Sequence, residues 1–227
     1  MHHEIEGVIA QTLHLALDEG ETAWAANGSI VSLDEGMEWR LKVPGGVGGA
    51  LKRSFAGEGV TLTFVESRRD GARAVLGAKH PGKIAVWDLS EGAMLATRGA
   101  FMAAVGDVHI GVTVAQRVGA AFFGGAGLFL QEISGKGLVF VHGAGDFLDM
   151  RLSAGEKIRV STGNLAAFAD TVDYRIRGVG GCVKMLFGRE GVFMTELEGP
   201  GRVLLQSLQR VSGAKRAASA AASAAPP

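Results

Sequence analysis

The stretch GVGGALKRSFAGEG at residues 46–59 decides how this chain is interpreted, because it recurs as GVGGCVKMLFGREG at residues 178–191. Eight of the fourteen aligned positions are identical. Between these two copies, residues 119–127 again place a phenylalanine, Phe123, four residues before a glycine. An alternating apolar and polar run follows each copy, and such alternation predicts a half-buried strand. The chain therefore carries three copies of a glycine-rich bend followed by a long strand.

A second sequence block also occurs three times along the chain. Each copy has a Leu-x-x-Gly turn followed, seven or eight residues later, by a second glycine: Gly28, Gly99 and Gly163. A spacing of this length between turn residues predicts one short strand. Together the two blocks divide residues 10–208 into three copies of one β unit of about 65 residues.

The fold class predicted from these patterns is all-β. Further strand candidates lie at residues 81–89, 137–141 and 201–208, and no long stretch has helical periodicity. Three fused β units favour a double-stranded β-helix or β-sandwich roll with pseudo-threefold symmetry, in which each unit buries its apolar face against its neighbours. We expect residues 1–211 to form a single all-β repeat domain and the Ala/Ser-rich residues 212–227 to be a disordered tail.

The glycine-rich stretch is not a nucleotide-binding loop. A P-loop needs a lysine directly after its last glycine, whereas Lys52 stands three residues after Gly49. The dinucleotide fingerprint also fails, because Leu51 and Val183 occupy its third glycine position. The features common to all three copies are a phenylalanine and a glycine, which predict a core anchor and a backbone hinge.

The distribution of charge argues for self-association and against nucleic-acid binding. The net charge is zero, but residues 1–39 hold eight acidic and no basic residues, while residues 40–83 hold nine basic and three acidic ones. Segregated charges of this kind neutralise each other within a chain or between subunits. We therefore expect a homo-oligomer, a possible unidentified protein or membrane-associated partner, and no nucleic acid.

Cysteine content and the N-terminus predict a cytoplasmic location. Cys182 is the single cysteine, so no internal disulfide forms, which is typical of a reducing compartment. Its apolar neighbours predict a small buried residue. The first ten residues are acidic and lack the basic region of a secretory signal.

Histidine is the residue type that most suggests a site. A metal held by His142 and Asp146, with Asp149 close by, is one hypothesis, and His109 is the other candidate ligand. No His-x-His pair is present, and isolated histidines on strands are usually structural. No residue is assigned a catalytic, cofactor-binding or metal-binding role, and no cofactor is expected.

The order of motifs along the chain resembles that of one known family. The segments that carry the resemblance span nearly the whole chain: residues 45–59 with the following VTLTF, PGKIAVWDL at 81–89, GAFMA at 99–103, residues 122–140, and GNLAAFADTVDYRI at 163–176. They are similar to the altered inheritance of mitochondria protein 24 family. The resemblance implies a double-stranded β-helix like that of the tryptophan-binding RNA-attenuation protein (TRAP), and homo-oligomers. Eukaryotic members are mitochondrial and support inner-membrane organisation, and bacterial members have no established catalytic residues.

Three functional hypotheses follow. The first is a non-enzymatic, self-associating β scaffold or binding protein. The second is a β roll that binds a small ligand, for which Trp24, Trp87 and His142 should share one cavity. The third is a metal-dependent enzyme that uses His109 or His142.

Overall fold

A computed structural model describes residues 1–44, 61–114, 129–178 and 193–210. The three glycine-rich bends, Cys182 and the predicted tail lie outside these residues. Within them the chain forms seventeen strands and two short 3₁₀ turns, so the predicted all-β class is confirmed. The strands are β1 (His2–Glu6), β2 (Thr12–Leu17), β3 (Thr22–Ala25), β4 (Ile30–Leu33), β5 (Met37–Lys42), β6 (Leu62–Ser67), β7 (Ala72–Gly77), β8 (Gly82–Asp88), β9 (Met94–Thr97), β10 (Phe101–Val114), β11 (Phe129–Ala144), β12 (Phe147–Leu152), β13 (Lys157–Ser161), β14 (Leu165–Ala169), β15 (Asp173–Gly178), β16 (Phe193–Glu198) and β17 (Gly201–Gln206). The 3₁₀ turns are Leu89–Glu91 and Thr162–Asn164.

The described strands form three antiparallel sheets. One has the order β1-β2-β7-β4, and a second has the order β13-β16-β15. The largest runs β12-β17-β14-β9-β11-β10-β3-β6-β5, with β8 also paired to β11. Strands β5 and β12 therefore stand at the two ends of the largest sheet.

Alternating sequence explains why these segments are strands. In β2 the side chains of Leu13, Leu15 and Leu17 are buried while the residues between them are half-buried. Side chains of a strand point alternately to its two faces, so one face joins the core. The strands predicted at 81–89, 137–141 and 201–208 are confirmed as β8, part of β11 and β17. The short strands predicted between paired turns are confirmed as β3, β9 and β13.

Each glycine-rich segment of the sequence connects two strands that pair with each other. The ladders are β5–β6, β10–β11 and β15–β16, and all three are antiparallel. The β10–β11 hairpin is much the longest and extends from the Val114↔Phe129 pair to Phe101↔Val141.

The core consists of three clusters of buried apolar side chains. One lies around β8–β11 and β14, a second lies between β1–β4, β7 and the inner half of the β10–β11 hairpin, and the third lies around β12–β17. Phe140 and Phe168 are the largest side chains that are completely buried. Within the described ranges, no helix is long and apolar enough to cross a bilayer.

Candidate functional site

A cleft of about 820 Å³ opens where three turns approach one another. Residues 26–29 follow β3, residues 98–99 follow β9, and residues 162–163 follow β13, and all of them line the cleft together with Thr97 at the end of β9. Their glycines, Gly28, Gly99 and Gly163, are the second glycines of the recurring block in the sequence. The recurrence therefore marks the walls of a cavity as well as the ends of strands.

Local hydrogen bonds and glycine conformations fix the first two turns. The Ser29 amide donates to the Ala26 carbonyl at 3.1 Å, and the Ala100 amide donates to the Thr97 carbonyl at 3.0 Å. Gly28 and Gly99 have φ values of 75° and 76°, a left-handed conformation that glycine adopts without steric cost. The third turn closes as the 3₁₀ turn Thr162–Asn164.

Buried polar side chains form the inner wall of the cleft. Thr97, Gln131, His142 and Gln206 are all at most 6% exposed. Gln206 accepts from the Ala144 amide at 3.0 Å and donates to the Gly163 carbonyl at 2.9 Å. The Thr97 hydroxyl donates to the Leu165 carbonyl at 2.8 Å. Since a buried polar group without a partner costs free energy, these bonds hold the wall in place.

His142 is the buried titratable residue of the cleft. Its side chain is 3% exposed, and within the described part of the chain its Nε2 has no hydrogen-bond partner. Burial, the largest cause, and the nearby positive charges of Arg210 and His80 together lower the pKa of His142 to about 4, against a backbone hydrogen bond with His80 that raises it. The imidazole is therefore neutral near pH 7.

Cationic side chains border the cleft. Lys79 and Arg98 are exposed there, and Arg210 donates to the backbone carbonyl of His142. Lys79 and Arg98 make no ion pair with any carboxylate of the described residues, and no Asp or Glu of those residues lines the cleft. The cleft is therefore electropositive.

Only one of the three residues named for a ligand cavity lies in this cleft. His142 does, whereas Trp24 and Trp87 do not line it. Trp24 packs edge-to-face on Phe64, with ring centroids 5.0 Å apart. Trp87 is a core residue with the Arg202 guanidinium 4.9 Å from its ring centroid.

The residues of the metal hypothesis are not brought together as a ligand set. His109 is exposed on the outer half of β10, while His142 is buried on the inner half of β11. Asp146 is exposed, and its amide bonds to the Ser207 hydroxyl at 2.9 Å. In the described part of the chain no three His, Cys, Asp or Glu side chains are grouped so as to hold a metal ion.

Sequence reasoning missed the polar and cationic residues that define the cleft. Lys79, Arg98, Gln131, Gln206 and Arg210 carry no motif, because they come together through pairing between strands far apart in sequence. One signal was available. The turns around Gly28, Gly99 and Gly163 occupy the same place in each recurring block of the sequence, and all three line the cleft.

Comparison with known proteins identifies the family. The sequence model of the family described as mitochondrial biogenesis AIM24 matches residues 3–208. The chain belongs to this family. The AIM24 match covers every described strand except the start of β1, and it confirms the resemblance drawn from the sequence motifs. No curated protein matches the chain.

A solved structure has the same fold as this AIM24 family member. The crystal structure of protein SPYM3_0169 from Streptococcus pyogenes superposes with a TM-score of 0.77, and the alignment covers 98% of each chain at 21% identity. At this identity the likeness shows the fold alone.

Proposed function

We propose that this AIM24 family member is a non-enzymatic, self-associating β scaffold, built from three copies of one β unit in a TRAP-like, pseudo-threefold arrangement. Exposed apolar side chains on the end strand β5 are the observation that carries self-association. The cytoplasmic location inferred from the sequence stays a prediction.

The pattern of strand pairing supports the repeated unit. One strand pairs on both sides in each third of the chain: β7 with β2 and β4, β11 with β8 and β10, and β17 with β12 and β14. The register shifts by one residue at the same place in all three, between Ile30 and Ser32, Phe101 and Ala103, and Leu165 and Ala167. A bulge at one position in three separate ladders favours a common ancestry of the units.

A second recurring pattern supports the same interpretation. The strand after each glycine-rich segment pairs on both sides, as β5-β6-β3, β10-β11-β9 and β15-β16-β13. Neighbouring units are then joined by the β3–β10 and β9–β14 ladders. A third junction of this kind would join β13 to β4, and no ladder between them is found among the described residues.

Strand β5 exposes an apolar surface at the end of the largest sheet. Trp39 is 61% and Leu41 is 54% exposed, although Val65 and Thr63 opposite them on β6 are buried. Within the described residues, no strand pairs with the outer edge of β5. An open strand edge with large apolar side chains is an unstable feature for an isolated chain and is normally covered.

A second copy of this chain is the partner that fits this edge. Antiparallel pairing of two β5 strands about a twofold axis at Arg40 places Trp39 opposite Leu41 and Glu38 opposite Lys42. Residues directly opposite in an antiparallel pair share a face, so both contacts are favourable. The two facing Arg40 side chains repel less because each is paired with Glu66 at 2.6 Å.

Sedimentation velocity of the full chain tests this proposal. We expect a dimer for the wild type and a dissociation constant at least about tenfold higher for Trp39→Glu, which places a charge in the apolar contact. Leu148→Glu is the matched control, because Leu148 is also an exposed apolar residue, 51% accessible, on β12 at the other end of the sheet. A monomeric wild type, or equal weakening by both variants, would overturn the β5 interface.

The non-enzymatic part of the proposal is tested separately. Protein purified without a chelator or a histidine tag should carry far less than one equivalent of any transition metal by elemental analysis. One bound equivalent that is lost in His142→Gln would support the metal-dependent alternative instead.

Ligand binding is a second candidate function, favoured by the polar cleft. A volume of about 820 Å³ lies within the range of small-molecule sites, and buried polar groups on one wall are typical of them. A scaffold with such a cleft would bind its ligand without altering it.

A further inference from the structure

We propose that the cleft between the turns of Gly28, Gly99 and Gly163 binds a small molecule that carries a phosphate or carboxylate group. This inference deepens the ligand-binding candidate and does not depend on self-association. The anionic group would lie against Lys79, Arg98 and Arg210, and the remainder of the molecule would extend toward Gln131 and His142.

The charges around the cleft carry the inference. Lys79, Arg98 and Arg210 border it, with His80 beside them, and no Asp or Glu of the described residues lines it. Some cations elsewhere on the surface lie beside carboxylates, as in Arg40–Glu66 and Arg202–Asp149, both at 2.6 Å, whereas Lys79 and Arg98 have no such neighbour among the described residues. Cations collected around a concave surface raise the local potential, and an anion bound there is attracted by all of them.

The positions of Lys79 and Arg210 relative to the turns support a shared contact. Lys79 reaches across to the first turn, since a Cβ added at Gly28 would stand 3.4 Å from its Cε. Arg210 reaches the second turn in the same way, 3.6 Å from the corresponding point at Gly99, the residue after Arg98. Cations from different parts of the chain are thus held over one opening.

The environment of His142 agrees with a positive cleft. Besides burial, the positive charges of Arg210 and His80 disfavour protonation of this imidazole. The ring is neutral near pH 7, so the inner wall offers uncharged polar groups while the border offers positive charge. This division selects a molecule with an anionic group and an uncharged polar body over an apolar ligand.

Calorimetric titration of the full-length, untagged protein tests the site with three probes: inorganic phosphate, pyrophosphate and citrate. We expect binding of at least one probe at millimolar concentration or below. The double variant Lys79→Gln/Arg98→Gln should weaken that binding at least about tenfold, because each lost charged contact is worth a factor of this order. Preference for pyrophosphate over citrate would identify a phosphate ligand, and the reverse preference a carboxylate ligand.

The control variant removes the same charge from outside the cleft. Lys136→Gln/Arg175→Gln replaces two exposed cations that do not line it, and we expect its affinity to stay within about twofold of the wild type. Equal weakening by both double variants, or no binding of any probe at millimolar concentration, would overturn the site. Trp39→Glu should bind the probes as the wild type does, so that failure of the β5 interface and failure of the cleft are told apart.

Discussion

Two hairpins of the largest sheet, β5–β6 and β10–β11, differ in what the second strand does after it has paired with the first. In the first, the chain leaves β6 at Ser67, turns through Gly71 and continues as a separate strand, β7. In the second, β11 continues without interruption from Phe129 to Ala144 and pairs with β10, β9 and β8. The end of β6 requires only a surface turn. The uninterrupted β11, in contrast, requires the backbones of β10 and β11 to approach each other closely.

Glycine residues allow β11 to continue along β10 at this close approach. Gly106 lies opposite Gly137, and Gly135 lies opposite Val108, where the hairpin changes from its inner to its outer half. All three glycines have positive φ values of 107° to 146°. A Cβ at Gly137 would stand 2.0 Å from the Val105 carbonyl oxygen, which is far inside van der Waals contact.

The largest expected effect is that of Gly137→Ala. The added methyl group must displace the backbone of β10, and alanine must adopt an unfavourable φ, so we expect a loss of about 3–5 kcal/mol in the free energy of unfolding. Gly71→Ala is the matched control, because Gly71 has a φ of 64° but no atom within 4 Å of an added Cβ. It should cost about 1 kcal/mol from backbone strain alone.

Urea unfolding followed by circular dichroism measures both variants. If Gly71→Ala proved as costly as Gly137→Ala, conformational strain rather than close approach of the two strands would be the dominant effect.

The second prediction compares the apolar faces of the two hairpins. Ile110 on β10 lies opposite Ile133 and is 3% exposed, while Trp39 on β5 lies opposite Val65 and is 61% exposed. Ile110→Ala should cost about 2–4 kcal/mol through the cavity it leaves. Trp39→Ala should cost less than about 1 kcal/mol, despite the larger side chain that is removed.

These values apply to unfolding at low protein concentration, where self-association contributes little. If Trp39→Ala lowered the free energy of unfolding as much as Ile110→Ala does, Trp39 would be covered within the chain. The β5 edge would then not be available as an interface.

The two hairpins also show which structural features the sequence predicts and which it does not. Alternating residues identified β6, the outer half of β11 and β16, because one buried face requires that pattern. The sequence pattern could not distinguish the exposed Trp39 from a core aromatic residue, since the exposure of a strand face depends on what packs against it. The sequence also could not predict that β11 is one continuous strand. Without knowledge of the opposite strand, Gly135 and Gly137 indicate a turn between two strands.

The cleft shows the same limit. His142 was singled out as a residue type, and Gly28, Gly99 and Gly163 as recurring turns. Although Arg98 directly precedes Gly99, nothing local relates these residues to Lys79 or relates His142 to Arg98. The β4–β7 ladder places Lys79 beside the Gly28 turn, and the ladders that join β3 to β10 and β9 to β14 connect the strands around the three turns. Long-range pairing therefore creates the electropositive surface, and composition, with a net charge of zero, conceals it.

The smallest expected effect contrasts the two histidines of the long hairpin. His142 has a pKa of about 4 in the folded protein against an ordinary value of 6.5, so the unfolded chain binds its proton more readily. The free energy of unfolding should then fall as the pH drops below about 6.5, by about 2 kcal/mol from this residue by pH about 5. The contribution is fully present above the unfolded pKa and is lost as the pH falls toward the folded one.

The comparison of His142→Gln with His109→Gln isolates this contribution, because the two variants carry the same carboxyl groups and each lacks one histidine. Urea unfolding at several pH values between about 7 and about 5 should show a shallower decline for His142→Gln than for the wild type. His109→Gln serves as the control for replacing a histidine of the same hairpin, because His109 is exposed on the outer half of β10 and does not line the cleft. Parallel curves for the wild type and His142→Gln would show that the imidazole accepts a proton in the folded state, which requires either that water reaches the inner wall of the cleft or that Arg210 lies farther from the ring.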